Sequence, residues 1–151
     1  MSALSYDDLR NANGRDLGTS RWISVDQNRI DRFADVSGDH QWIHLDTERA
    51  ARGAFGTTIA HGYLTITLVG TLLGELLRVE PGLVMVNYGL DTLRFLSPVP
   101  VGARLSAKAR IDTVEETPRG LRVALAVSGE LEDSERPVCV ATAVILVQRE
   151  G

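Results

Sequence analysis

The sequence predicts an α+β fold, one domain over residues 1–151, in which an antiparallel sheet wraps around a central buried helix. Residues 62–77 are the most apolar helix candidate in the chain, and leucines and valines leave them little polar face. Four stretches rich in Val, Leu, Ile and Ala follow. A chain of this length can bury most of its apolar surface in a single core.

Four strand candidates follow this helix, and prolines, glycines and an acidic cluster separate them. In the second candidate, small or apolar residues alternate with polar ones from Leu105 to Asp112, which predicts a sheet with one solvated face. The four candidates are Leu83–Leu96, Leu105–Val114, Leu121–Leu131 and Val138–Gln148.

The residues before the apolar helix predict a short strand and a capped helix. The strand is expected over Thr19–Ile23. Ser24 and Gln27 then have the spacing of a capping box, with Ser24 as the N-cap. Gly38 is placed to end the helix that follows, because glycine favours the left-handed C-cap conformation. Asp39 is therefore expected just beyond a helix C-terminus.

Composition and charge exclude several classes of function. The net charge is −4 and there is no basic block, so we expect no nucleic-acid partner. Cys139 is the only cysteine and lies in an apolar stretch, so we expect a core residue and no disulfide or cysteine-bound metal. No secretory signal is visible, and the apolar helix is shorter than the ~20 residues of a membrane span. These features predict a cytoplasmic, soluble protein without membrane contact.

The stretch Phe33–Gly62 holds all three histidines, His40, His44 and His61. Asp39 and His44 are five positions apart and can share one water if the backbone bends, as Gly38 allows. A carboxylate and an imidazole in different environments can divide acid and base roles. From these residues alone, a turn-capping Asp39 and a buried structural His44 are the more usual explanation of the pattern.

The same stretch holds two further candidate sites. Asp39, His44 and His61 form a two-histidine, one-carboxylate set, but their spacing is not that of helical metal ligands, so no metal is expected. Gly62 begins the apolar helix, so its N–H is an unpaired donor that suits a developing oxyanion. The alternative is a plain helix start at which glycine allows tight packing.

Three motifs resemble the MaoC-like, R-specific enoyl-CoA hydratases, the "hydratase 2" group of hot-dog-fold enzymes. They are SGDxxxIHxDxxxA from Ser37, AFGxxIAHG from Ala54 and, more loosely, NYGLDTLRFLSPVPVG from Asn87. The family usually has Asn-Pro where this chain has Gln41 and Trp42. The resemblance implies a hot-dog fold and a hydro-lyase that works without metal or another cofactor.

The resemblance also implies roles for particular residues. Asp39 and His44 would be catalytic and would hold one water between them, with an (R)-3-hydroxyacyl thioester as the product. The substrate would be a trans-2-enoyl thioester of coenzyme A or acyl-carrier protein, in fatty-acid metabolism. Arg94 and Phe95 would lie near the coenzyme A and acyl channel. His61 is expected to orient its loop rather than to carry a proton.

Two other functions remain open at this point. A hot-dog acyl thioesterase would use a carboxylate to cleave the thioester rather than hydrate it. A non-catalytic subunit that binds acyl thioesters is the second alternative, and the altered Gln41-Trp42 turn favours it. For each of these we expect a homodimer, because the resemblance implies one and a single sheet leaves an edge to be covered.

Overall fold

The structure of the chain is a computed structural model that describes residues 2–151. This part of the chain forms five helices and six strands. In chain order they are α1 (Tyr6–Arg10), β1 (Asp16–Thr19), β2 (Ile23–Val25), α2 (Gln27–Ser37), α3 (Trp42–Leu45), α4 (Thr47–Ala51), α5 (Gly62–Leu76), β3 (Leu83–Phe95), β4 (Ala103–Thr117), β5 (Gly120–Leu131) and β6 (Cys139–Arg149).

All six strands join one antiparallel sheet, which confirms the predicted α+β class. The order is β1-β4-β5-β6-β3, and β2 also pairs with β4. The four strands predicted after the apolar helix are all present. The predicted strand over Thr19–Ile23 is wrong in its position, because β1 ends at Thr19 and β2 begins at Ile23. Ser20 joins this connection to β4 by exchanging hydrogen bonds with Ala107.

The core lies between α5 and the sheet. Leu68 and Leu72 on the helix face buried strand residues such as Leu105 and Leu125. The prediction that this helix is buried on nearly all sides is wrong. Because a single sheet covers only one side of it, the other side is exposed, at Tyr63, Thr67, Gly70, Thr71, Gly74 and Glu75.

The N-cap of helix α2 lies two residues after the predicted cap. Ser24 lies in β2, and Asp26 is the N-cap, with its side chain accepting a hydrogen bond from the Arg29 N–H. The predicted capping box is therefore wrong, and the Gln27 side chain contacts His44 and Thr58 instead. The predicted helix end is confirmed, because Gly38 is the C-cap in the left-handed conformation, with φ of 79°.

Strand β3 is an edge of the sheet and exposes apolar side chains along its length. Val86, Tyr88, Leu90 and Phe95 are each between 43% and 60% exposed. Within residues 2–151 this strand pairs only with β6, so its other edge has free backbone groups. No helix in the described part of the chain is long and apolar enough to cross a membrane.

Candidate active site

Three short segments converge at the N-terminus of α5. The first is the turn after α2 that carries Asp39, the second is α3 with His44, and the third is His61, the N-cap of α5. One carboxylate oxygen of Asp39 and one ring nitrogen from each histidine all lie within 4.8 Å of one another. The structure thus brings together the three titratable residues that the sequence singled out.

Asp39 follows the left-handed Gly38, and this conformation turns the chain away from the helix axis. Its N–H donates to the Ser37 hydroxyl over 3.2 Å, and its carboxylate accepts from the Gln41 N–H over 3.3 Å. The residue is exposed. Its carboxylate therefore has capacity for further hydrogen bonds on the open side of the site.

His44 is only 6% exposed, and hydrogen bonds hold both its ring and its backbone. Its ring Nδ1 lies 2.7 Å from the Ile59 carbonyl oxygen. Because a carbonyl only accepts hydrogen bonds, Nδ1 carries the proton and Nε2 presents a lone pair. Nε2 makes no hydrogen bond with any described residue, so His44 offers an accepting nitrogen to a water or substrate.

The backbone of His44 is held by Gln27, a residue that sequence reasoning assigned to a capping box. The Gln27 side-chain amide donates to the His44 carbonyl over 2.8 Å, and its oxygen accepts from the Thr58 hydroxyl over 2.6 Å. These partners are 17 and 31 positions away in sequence. No local pattern could have identified this contact.

The pKa of His44 is lowered from its ordinary value. Burial is the main cause, because it disfavours the charged imidazolium, and the neighbouring His61 acts in the same direction. The hydrogen bond to Ile59 and the negative charge of Asp39 oppose this shift. The lowered pKa favours the neutral imidazole of His44 near pH 7.

His61 is buried and contacts both neighbours. Its ring stacks on that of His44, with centroids 3.8 Å apart and an angle of 22° between the planes. Its Nε2 lies 3.0 Å from the Asp39 carbonyl oxygen, which accepts the hydrogen bond. Phe33 also packs against His61, with ring centroids 4.9 Å apart and an angle of 60° between the planes.

The same three side chains are the only described group of this kind that could hold a metal ion. One nitrogen of each histidine already donates to a backbone carbonyl, at Ile59 and at Asp39. A metal would therefore have to use the remaining nitrogens. One ligand atom from each residue lies within 4.8 Å of the other two, and ligands in a tetrahedral site with bonds of about 2.1 Å lie roughly 3.4 Å apart.

Gly62 is the first residue of α5 and lies beside Phe95. His61 makes no side-chain capping hydrogen bond, and the first N–H of the helix to reach a carbonyl four residues back is that of Thr65. The Gly62 N–H therefore has no partner within its helix. A Cβ at Gly62 would lie 3.0 Å from the Phe95 ring, so glycine is needed for this close approach.

The other predicted site residues are placed differently. The Phe95 ring borders the site because it lies beside Gly62, whereas the exposed Arg94 donates back to the Leu93 carbonyl of its own strand over 2.8 Å.

The remaining histidine and the cysteine lie in other surroundings. His40 is exposed and lies 3.1 Å from Asp35, and this hydrogen bond raises the pKa of His40. Cys139 is buried, and burial raises the pKa of its thiol, which makes it a poor nucleophile.

The Gln41-Trp42 turn keeps the geometry that Asn-Pro would impose. Gln41 has φ of −58° and ψ of 138°, the extended conformation that a following proline favours. Trp42 is the first residue of α3, a position at which proline is common because its N–H is not needed there. The Trp42 ring packs under the Arg49 guanidinium at 4.1 Å, so its bulk is directed toward α4.

A groove of about 560 Å³ runs between the open side of α5 and strands β3 and β6. Gly62, Ile66 and Gly70 are spaced four residues apart, so they share one face of the helix. Ile66 and Gly70 line the groove, and Gly62 lies at the catalytic end of the same face. The helix thus connects the candidate site to an apolar groove.

A family model described as "MaoC like domain" matches residues 8–130 of the chain. The 3-hydroxyacyl-thioester dehydratase Z of Mycobacterium tuberculosis is 42% identical over 142 residues, which cover 93% of this chain and 94% of that protein. Nodulation protein N of Rhizobium leguminosarum is 38% identical over 151 residues, covering 98% and 94% of the two chains.

A solved structure gives the same result for the fold. R-hydratase PhaJ1 from Pseudomonas aeruginosa, in its unliganded form, superposes with a TM-score of 0.77 at 30% identity. The match covers 96% of this chain and 86% of that one. This structural match, together with the antiparallel sheet that packs against one side of α5, confirms the hot-dog fold. The chain belongs to the MaoC-like family of thioester dehydratases and hydratases.

Proposed function

We propose that this protein is an R-specific enoyl-CoA hydratase that reversibly adds water to trans-2-enoyl thioesters. The observation that carries the proposal is the placement of the Asp39 carboxylate and a His44 ring nitrogen within 4.8 Å, beside the uncapped N-terminus of α5. Two hydrogen bonds of about 2.8 Å can connect two acceptors at this separation through one water.

Each group has a defined part in the addition. Asp39 and the lone pair on His44 Nε2 both accept from the water, and one of them takes its proton as the oxygen bonds to C3. The C2–C3 π electrons move toward the thioester oxygen, where the Gly62 N–H stabilises the developing charge. The protonated group then returns its proton to C2, so H and OH are added and no cofactor is consumed.

The names of the relatives support this reaction class from both directions, as dehydratase and as hydratase. We propose coenzyme A or acyl-carrier protein as the carrier and fatty-acid metabolism as the setting. Coenzyme A is a polyanion and the chain has a net charge of −4, so binding would depend on local cations. Arg94 is a candidate for such a cation. It lies on β3, which ends at Phe95, and its side chain forms no ion pair among the described residues.

The direct test is hydration of crotonyl-CoA by the purified protein. We expect the enoyl absorbance to fall without release of free thiol. Asp39→Asn and His44→Gln should each lower kcat by at least roughly 10²-fold while the circular dichroism spectrum stays unchanged, because each removes one proton acceptor.

Asp35→Asn is the matched control, because Asp35 is an exposed carboxylate near the site that pairs only with His40. It should keep parental activity. Thiol release without loss of the double bond would establish a thioesterase instead. Absence of both reactions, with binding of the thioester retained, would establish a non-catalytic binding subunit.

The role of the Gly62 N–H is tested with Gly62→Pro, which removes this N–H. Proline is tolerated in the first helical turn. Because any Cβ at this position meets the Phe95 ring, the comparison is made in a Phe95→Ala background. Gly62→Pro in that background should be roughly 10²–10³-fold slower than Gly62→Ala in the same background, since only proline removes the donor. Equal rates in the two double variants would contradict the oxyanion role.

The groove is proposed to hold the acyl chain. A Cβ at Gly70 meets no atom within 4 Å, so a leucine would project into the groove without disturbing the core. Gly70→Leu should lower kcat/KM for long-chain enoyl-CoA far more than for crotonyl-CoA. Gly74→Leu is the control, because Gly74 is equally open but lies outside the groove. Equal losses across chain lengths would contradict this placement.

A homodimer is proposed from the exposed edge strand. Apolar side chains of β3 and the open side of α5 would be covered by a second copy. Sedimentation at micromolar concentration should give a dimer, and Val86→Glu on β3 should shift it toward monomer. Val36→Glu is the control, because Val36 is 88% exposed on α2 and away from the sheet edge. A monomeric parent protein would contradict the proposal.

A further inference from the structure

His61 contacts both catalytic candidates. It donates to the main-chain carbonyl of Asp39 and stacks face to face on the ring of His44. It is only 2% exposed, and Phe33 also packs against its ring, with centroids 4.9 Å apart. Any movement of this ring would therefore displace Asp39 or His44.

The hydrogen bonding of His61 leaves it no route to the substrate. Its Nε2 proton is committed to the Asp39 carbonyl, which can only accept. Its Nδ1 is buried and has no partner among residues 2–151. His61 thus acts on the site through its hydrogen bond to the Asp39 backbone and through its contact with the His44 ring.

Asp39 needs such support because its own turn holds it weakly. The turn from Gly38 to Gln41 is exposed, and its two local hydrogen bonds, from the Asp39 N–H and to its carboxylate, are 3.2 and 3.3 Å long. The bond from His61 anchors the carbonyl of the same residue to a buried ring. A misplacement of about 1 Å at a reacting group can cost roughly 10²-fold in rate.

We propose that His61 is a positioning residue that sets the separation between the Asp39 carboxylate and the His44 ring. It does so through one hydrogen bond and one ring face, both fixed by its place as the N-cap of α5. The inference rests on the proposed hydratase function, because it assigns His61 a role in the reaction of Asp39 and His44.

Two amide variants separate the hydrogen bond from the ring. The side-chain nitrogen of glutamine falls near the position of the histidine Nε2, whereas that of asparagine falls near Nδ1 and does not reach the Asp39 carbonyl. His61→Asn should lower kcat for crotonyl-CoA by roughly 10²-fold with KM within about threefold of the parent value. His61→Gln should stay within about tenfold of the parent kcat, because it keeps the donor.

A double-mutant cycle tests whether His61 acts through Asp39. In the Asp39→Asn background, His61→Asn should lower kcat by less than about threefold, since the carboxylate it positions is already gone. If His61→Asn does not fold, His61→Phe replaces it in both backgrounds, because it keeps a ring for stacking but has no donor.

Three results would overturn the proposal. The first is a parental kcat in the variant without a donor, which is His61→Asn or, if that does not fold, His61→Phe. The second is an equal kcat in that variant and in His61→Gln. The third is that the variant without a donor lowers kcat by the same factor in the Asp39→Asn background as in the parent. A lowered melting temperature with unchanged kcat per folded molecule would show a purely structural role and would also overturn it. Failure of the proposed function is recognised separately, because the parent protein would then not hydrate crotonyl-CoA, or Asp39→Asn and His44→Gln would leave its hydration activity unchanged.

Discussion

The packing of α5 against only one sheet is the constraint on which the rest of the structure depends. A helix this apolar must bury its leucines, and the sheet curves around it to do so. One sheet can cover only one side. The helix N-terminus is consequently held rigidly by the core while the side bearing Gly70 and Gly74 stays open.

That constraint positions the chemistry. His61 and Gly62 are at the start of α5, so both are fixed by the packing of the whole helix rather than by their own loop. The chain before α5 then folds back onto them, and Ile59 donates to and accepts from the segment that carries His44. Packed backbone thus supports His44 and His61, whereas Asp39 remains exposed.

Backbone carbonyls, rather than acidic side chains, determine which ring nitrogen carries the proton in each of the two buried histidines. The Ile59 carbonyl fixes the proton of His44 on Nδ1, and the Asp39 carbonyl fixes that of His61 on Nε2. The hydrogen bond to Ile59 by itself raises the pKa of His44, but burial has the larger effect. Burial and the neighbouring His61 can then lower the pKa of His44.

The sequence alone determined the fold class, the four long strands, the end of α2 at Gly38 and the cluster of Asp39 with His44. These follow from periodicity, breakers and local turn chemistry, which act over a few residues. Tertiary structure decided what depends on distant partners: the Gln27 contact, the His61 stack, the Phe95 ring against Gly62 and the open side of α5. No local pattern encodes these contacts, because the chain must close long loops before the residues meet.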